Sequence, residues 1–140
     1  MNNKKIITGF ISQVWNQGRL AEIDHFIHEE FTDHSLPPFL PPNKQGLTQW
    51  ISETGKSFEH KTIIEDIVCE SNKVMLRINM QMKHVGEWRG IKPTGKEVIA
   101  AGYRCFKVSD FKIVEHWALI DGNSIENQLK DESHGCNVKR

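Results

Sequence analysis

Between Val74 and Lys83 the chain keeps a strict period of two. Val74, Leu76, Ile78, Met80 and Met82 fall on one phase, while Arg77, Asn79, Gln81 and Lys83 fall on the other. Alternation of this kind belongs to a strand with one buried face. Such a strand is not stable alone, so it demands further strands beside it and an apolar layer over its inner side. The rest of the chain supplies both. Residues 61–70 alternate weakly, 97–108 form another strand pattern, and Lys112 to Asp121 form the last. Before them the period is helical. Ile7, Phe10, Ile11, Val14 and Trp15 make a stripe within residues 4–15, closed by Asn16-Gln17-Gly18. Leu20, Ile23, Phe26, Ile27 and Phe31 predict a second helix from Leu20 to Phe31, and Leu47, Trp50, Ile51 and Phe58 a third from Gly46 to Phe58. Four of the five prolines lie in Leu36–Pro42, an extended, stiff loop between the second and third helices. The segment from Gly86 to Lys96 reads as a long hairpin connection, Ser109-Asp110-Phe111 as a short one, and Ser124–Leu129 as a short helix.

Helices first and antiparallel strands after is an α+β order, with the helices laid on one face of a curved sheet. Residues 1–130 make one domain and 131–140 a polar tail with no periodicity. A curved sheet closed by helices forms a cone whose open end is a pocket. Charge narrows what could meet that pocket. Lysine and arginine total 18, aspartate and glutamate total 18, and no basic face marks a nucleic-acid partner or a charged membrane surface. No apolar run approaches the roughly 18 residues of a membrane span, and the N-terminus leads into a helical pattern, so a cytoplasmic protein is expected. Cys69, Cys105 and Cys136 are too widely spaced for a zinc ribbon or a dithiol redox motif.

Several segments together carry a resemblance. Phe31-Thr32-Asp33-His34-Ser35 with the prolines after it, His84-Val85-Gly86-Glu87-Trp88-Arg89-Gly90-Ile91-Lys92-Pro93-Thr94-Gly95-Lys96, Lys112-Ile113-Val114-Glu115-His116-Trp117 through Asp121, and Gln128-Leu129 occur in an order and spacing that resembles the SnoaL-like polyketide cyclases of the nuclear transport factor 2-like superfamily. The resemblance implies an α+β, cystatin-like cone, a homodimer, a deep apolar cavity and no metal or organic cofactor. It further implies ring closure by an intramolecular aldol reaction, with an aspartate near the end of the last long strand as acid and base; by motif that residue is Asp121. Two positions depart from the family pattern: Phe111 follows Asp110 where glycine is usual, and Lys130 follows Gln128-Leu129.

The residues can be weighed on their own chemistry. Alternation puts Trp117, Leu119 and Asp121 on one face, and a carboxyl on an apolar face loses hydration and rises toward the range of proton transfer. The competing reading makes Asp121 a strand-end turn residue that caps the next helix. His116 has the opposite parity, so without a β-bulge it diverges from Asp121 and reads as a structural histidine. His84 extends the apolar phase of Met80 and Met82, and His34 precedes the proline loop beside Asp33, which could orient its imidazole; both are candidate helpers in proton transfer. Trp117, Trp50, Phe58, Trp88, Tyr103 and Trp15 are the candidate cavity lining, with Trp88 at the rim. Arg77, mid-strand on the polar phase, reads as a surface ion pair. His25 and His28 share a helix face in the predicted second helix, where a solvated face outweighs a metal half-site.

These readings define a cofactor-independent acid/base enzyme acting on a small apolar carbonyl compound, by cyclisation, isomerisation or dehydration. Its alternatives are a non-catalytic module of the same fold that binds a hydrophobic ligand or a partner, and, more weakly, a metal-dependent hydrolase using His25, His28 and His34.

Overall fold

A computed structural model describes residues 2–131. The described chain forms α1 (Asn3–Phe10), which widens into a π-helical turn over Ile11–Asn16, then a 3₁₀ segment (Leu20–His25), β1 (Ile27–Asp33), α2 (Lys44–Ser57), β2 (Phe58–Glu70), β3 (Lys73–His84), β4 (Glu97–Ser109), β5 (Lys112–Ile120) and α3 (Gly122–Lys130). All five strands join one sheet in the order β1-β5-β4-β3-β2, with β1 parallel to β5 and the other neighbours antiparallel. This is the α+β architecture expected. The polar tail and Cys136 lie outside the described residues, Asp131 excepted.

Local chemistry sets the helix starts. The Asn2 side chain accepts from Lys5 N at 2.8 Å to cap α1, and Asn43 accepts from Gly46 N at 3.0 Å to cap α2. That cap explains why α2 begins two residues ahead of the first residue of its predicted span. The inner phases of β3 and β4 are buried under Ile7, Phe10, Ile11 and Val14, with Phe10 and Phe106 edge to face at 6.2 Å. Leu47 and Ile51 close the same core from α2. On the opposite side of the sheet Val68, Met75, Ile99, Tyr103 and Leu119 stand exposed.

Two expectations need correction. The second helix is instead a 3₁₀ segment followed by a strand. Leu20, Ile23, Ile27 and Phe31 do satisfy helical spacing, but Ile27–Asp33 gains more by docking along β5, where Ile113 N donates to Phe26 O at 2.7 Å and His34 N to His116 O at 2.9 Å. The second correction concerns β5. Lys107 faces Glu115 and Val108 faces Ile113, so Val114 is an extra residue in the ladder. This bulge breaks the alternation that was read through the strand. Ile113 and His116 are both buried, and Trp117 and Leu119 turn to the outer face, Leu119 being 75% exposed. The short turn before β5 places Asp110 and Phe111 at φ 53° and 64°, a left-handed pair in which the family's usual glycine would be relaxed.

Candidate active site

Between the helices and the inner face lies a cavity of about 870 Å³. Its walls come from Met80 and Met82 on β3, Arg104 on β4, His116, Ala118 and Ile120 on β5, and Trp15, Leu47 and Trp50 on the helices. The proline loop contributes Leu36, Pro37 and Phe39, and the 86–95 connection contributes Trp88 and Arg89. Trp88 meets Phe58 edge to face at 5.5 Å, and the Arg89 guanidinium lies 4.5 Å over the Trp88 ring while Nη1 reaches Glu126 at 3.0 Å. The connection is thereby tied to α3 across one side of the cavity. Gly86 is needed at its base, because a Cβ there would collide with the Lys56 carbonyl, and both Val85 N and Gly86 N donate to Ser57 O.

The polar part of this wall is a chain of three buried groups. Asp33, at the end of β1, is 3% exposed; His116 and Arg104 are each 5% exposed. Arg104 Nη1 donates to His116 Nε2 at 3.2 Å, which leaves the ring to donate from Nδ1 to Asp33 Oδ2 at 2.9 Å. Asp33 Oδ1 accepts from Ser35 N at 3.0 Å and from Ser35 Oγ at 2.9 Å. Burial alone would raise the Asp33 pKa, but the His116 hydrogen bond and charge, with the Ser35 donors, hold it below the usual carboxylate range. Burial pushes His116 down; the Asp33 hydrogen bond opposes this and the Arg104 charge adds to it. Burial also pulls Arg104 down to about 10, against the charge of Asp33, so the guanidinium stays protonated at neutral pH. The result is a neutral imidazole clamped between a cation and a carboxylate.

The sequence candidates distribute unevenly around this centre. Trp15, Trp50, Phe58 and Trp88 line the cavity. Asp121 does not: its side chain is exposed and accepts from Ser124 N at 3.0 Å as the cap of α3. The apolar face assigned to it is the outer one, because the parity it shares with Trp117 and Leu119 points away from the helices. Trp117 lies on that outer side, stacked on His34 at 4.7 Å, and Tyr103 is exposed there as well. His34 pairs with Glu115 at 2.9 Å. His84 is fully buried behind Phe58, its Nδ1 accepting from Thr94 N at 3.1 Å. Arg77 pairs with Asp66 at 2.6 Å, His25 with Glu22 at 2.8 Å, and His28 approaches Asp110 at 3.7 Å. Among the described residues no three His, Cys, Asp or Glu side chains gather as metal ligands, and no helix is long and apolar enough to cross a membrane.

Arg104 and the role of His116 were missed, and one signal was available. Val98, Ala100, Gly102, Arg104, Phe106 and Val108 form a single phase of β4, so Arg104 interrupts an otherwise apolar inner face. A cation at a core phase is rarely accidental, since it must be paired or used.

Comparison with known proteins agrees with this geometry. The sequence profile of the SnoaL-like polyketide cyclases matches residues 5–129. The chain belongs to that family. Among solved SnoaL-like folds it is similar to IdmH, a candidate polyketide cyclase from Streptomyces antibioticus, with 24% identity, a TM-score of 0.83, and coverage of 92% of this chain and 99% of that one. TsrD from Streptomyces laurentii shares 20% identity at a TM-score of 0.81, covering 93% and 98%. A SnoaL-like polyketide cyclase from Agrobacterium tumefaciens shares 14% at 0.77, covering 92% and 98%. At these identities the likeness concerns the fold. No curated protein matches the sequence. Membership of the SnoaL-like family points to a small, polyketide-type ligand.

Proposed function

We propose that this SnoaL-like protein is an acid/base enzyme acting on a carbonyl compound held in the cavity, with His116 as the proton carrier and Asp33 as its positioning residue. The observation that carries the reading is the Asp33–His116 pair, buried yet on the cavity wall. A buried neutral imidazole whose Nδ1–H is fixed by a carboxylate keeps a basic Nε2, and the carboxylate stabilises the imidazolium that forms on proton uptake. In an aldol closure, Nε2 takes a proton α to one carbonyl. The resulting carbon nucleophile adds to a second carbonyl of the same molecule, and the alkoxide recovers the proton from Nε2–H. One carbon–carbon bond forms, one carbonyl π bond opens, and no group leaves. Isomerisation would use the first and last steps alone. Nε2 must exchange its bond to Arg104 for the substrate, and 3.2 Å is at the weak end for such a bond.

The test is α-proton exchange in D₂O, followed by NMR, with a panel of aromatic β-keto esters. Exchange should be catalysed by the native chain, lost in His116→Ala and strongly reduced in Asp33→Asn. Exchange that survives His116→Ala removes the assignment. A ligand-binding module without catalysis is favoured by one observation, that both ring nitrogens of His116 already have partners; panel members that bind without exchanging would support it. We also read the exposed face carrying Met75, Ile99, Tyr103 and Leu119 as the surface through which two copies pair, which sedimentation equilibrium decides.

A further inference from the structure

Arg104 is an ion with an incomplete set of partners. Of its three guanidinium nitrogens only Nη1 has a hydrogen-bond partner among the described residues, and Nε is buried with none. Among the described residues no carboxylate forms an ion pair with it; Asp33 lies on the far side of the His116 ring. Its remaining support is the Trp15 ring, 4.8 Å from the guanidinium carbon, a modest cation–π contact. A buried charge left this way is costly unless something completes it. The surroundings leave space for that something. On β5 the residue opposite Arg104 is Ala118, a small side chain that lines the cavity with it, while Ile120 fills the space over Gly102, the next inward position of β4.

We propose that Arg104 is a binding residue for a carboxylate of the ligand, so that this site takes an aromatic or polycyclic carboxylic acid rather than a neutral compound. The Nε and Nη2 hydrogens form a planar fork, the shape that a carboxylate matches with two parallel bonds. The cavity, at about 870 Å³, lies within the usual range of roughly 300–1,000 Å³ for small-molecule sites. A charged ligand group differs from the small apolar carbonyl compound expected from the sequence. The proposal deepens the acid/base reading, on which this consequence rests: a carboxylate that draws the guanidinium to itself releases His116 Nε2, so the substrate's own charge frees the base.

The experiment is isothermal titration of the full chain at pH 7.5 with anthraquinone-2-carboxylate and with its methyl ester. The acid should bind at least about tenfold more tightly than the ester, in line with a charge-assisted pair shielded from water. Arg104→Met should erase that preference while the ester keeps its affinity to within about threefold. Arg104→Lys, which retains a cation, covers the case in which the methionine variant does not fold, and should keep only part of the preference. Equal binding of acid and ester by the native chain overturns the proposal, as does binding of neither, or a preference that survives both variants. Because binding requires no turnover, the two readings fail separately. Acid preference without α-proton exchange removes only the catalytic reading, and exchange of neutral β-keto esters without acid preference removes only this one.

Discussion

Replacing Asp33 by asparagine is the most informative single perturbation of this molecule. The volume is conserved, and the asparagine carbonyl can still accept from Ser35 N and Oγ as Asp33 Oδ1 does. Its amide, however, must face His116 Nδ1. If the amide donates there, the ring proton moves to Nε2, and Nε2–H then meets the Nη1–H of Arg104, now 3.2 Å away with both groups donors. If it does not, Nδ1–H loses its acceptor. Either way one buried hydrogen bond is lost, and Arg104 also loses the attraction of the Asp33 charge. Leaving a buried hydrogen-bonding group unsatisfied costs about 1–3 kcal/mol, a sizeable share of the roughly 5–15 kcal/mol that holds a domain together. Urea unfolding at pH 7 should report a loss of that size. The charge argument is isolated by a double-mutant cycle: Arg104→Met added to Asp33→Asn removes the stranded cation, so the double variant should be more stable than the sum of the singles predicts by about 1–3 kcal/mol. A single-variant loss below about 1 kcal/mol, or additivity within roughly 0.5 kcal/mol, would refute the account of Asp33, His116 and Arg104 as one electrostatic unit.

Other outcomes follow from the same structure. Burial lowers the folded pKa of His116 below its ordinary 6.5, so the folded state binds fewer protons than the unfolded chain across that interval. Its contribution is complete above pH 6.5 and fades as pH falls toward the folded value; thermal melts should show a loss of stability below pH 6.5 that is shallower in His116→Gln. Asp121→Ala should cost about 1 kcal/mol by removing the cap of α3, Asp121→Asn far less, and neither should alter α-proton exchange. A catalytic defect in Asp121→Asn with normal stability would restore that residue to the site. Phe111→Gly should raise stability by about 0.5–1 kcal/mol, because an exposed phenylalanine gives up a left-handed backbone that glycine adopts freely; chemical denaturation that finds a loss would mean the Phe111 ring makes a contact worth more than the strain.

The fold was readable wherever burial and period agreed. β3 and β4 bury one phase each along their length, and α1 and α2 present uninterrupted apolar stripes, so their patterns name them. β1 escaped because its apolar residues, Ile27 and Phe31, sit four apart, which suits a helix as well as a strand. Only its docking beside β5 decides between them, and that contact spans more than eighty residues of sequence. The site was legible in its aromatic lining and not in its chemistry. Trp15, Trp50, Phe58 and Trp88 are conspicuous by type. Parity separated His116 from Asp121 as the structure does; what differed was the face, since Trp117 and Leu119, read as the apolar inner side, lie on the outer one. Arg104 needed only its phase to be noticed.

That extra residue has a consequence for how the strand tolerates change. Before Val114, β5 is in step with the hairpin that joins it to β4; after it, the strand runs half a period out of step. The turn and the cavity wall therefore answer to different constraints although they share nine residues. Substitutions at Ile113 are felt by the core, those at Trp117 and Leu119 by the outer surface, and those at His116, Ala118 and Ile120 by whatever occupies the cavity. Deleting Val114 would leave both flanks in their present register, Ile113 with Val108 and Glu115 with Lys107, so it would straighten the strand while keeping the imidazole inward and the indole outward. A single unpaired residue thus lets Ile113 and His116, three apart in sequence, share one face, and gives the strand an insertion it could lose without turning the cavity wall outward.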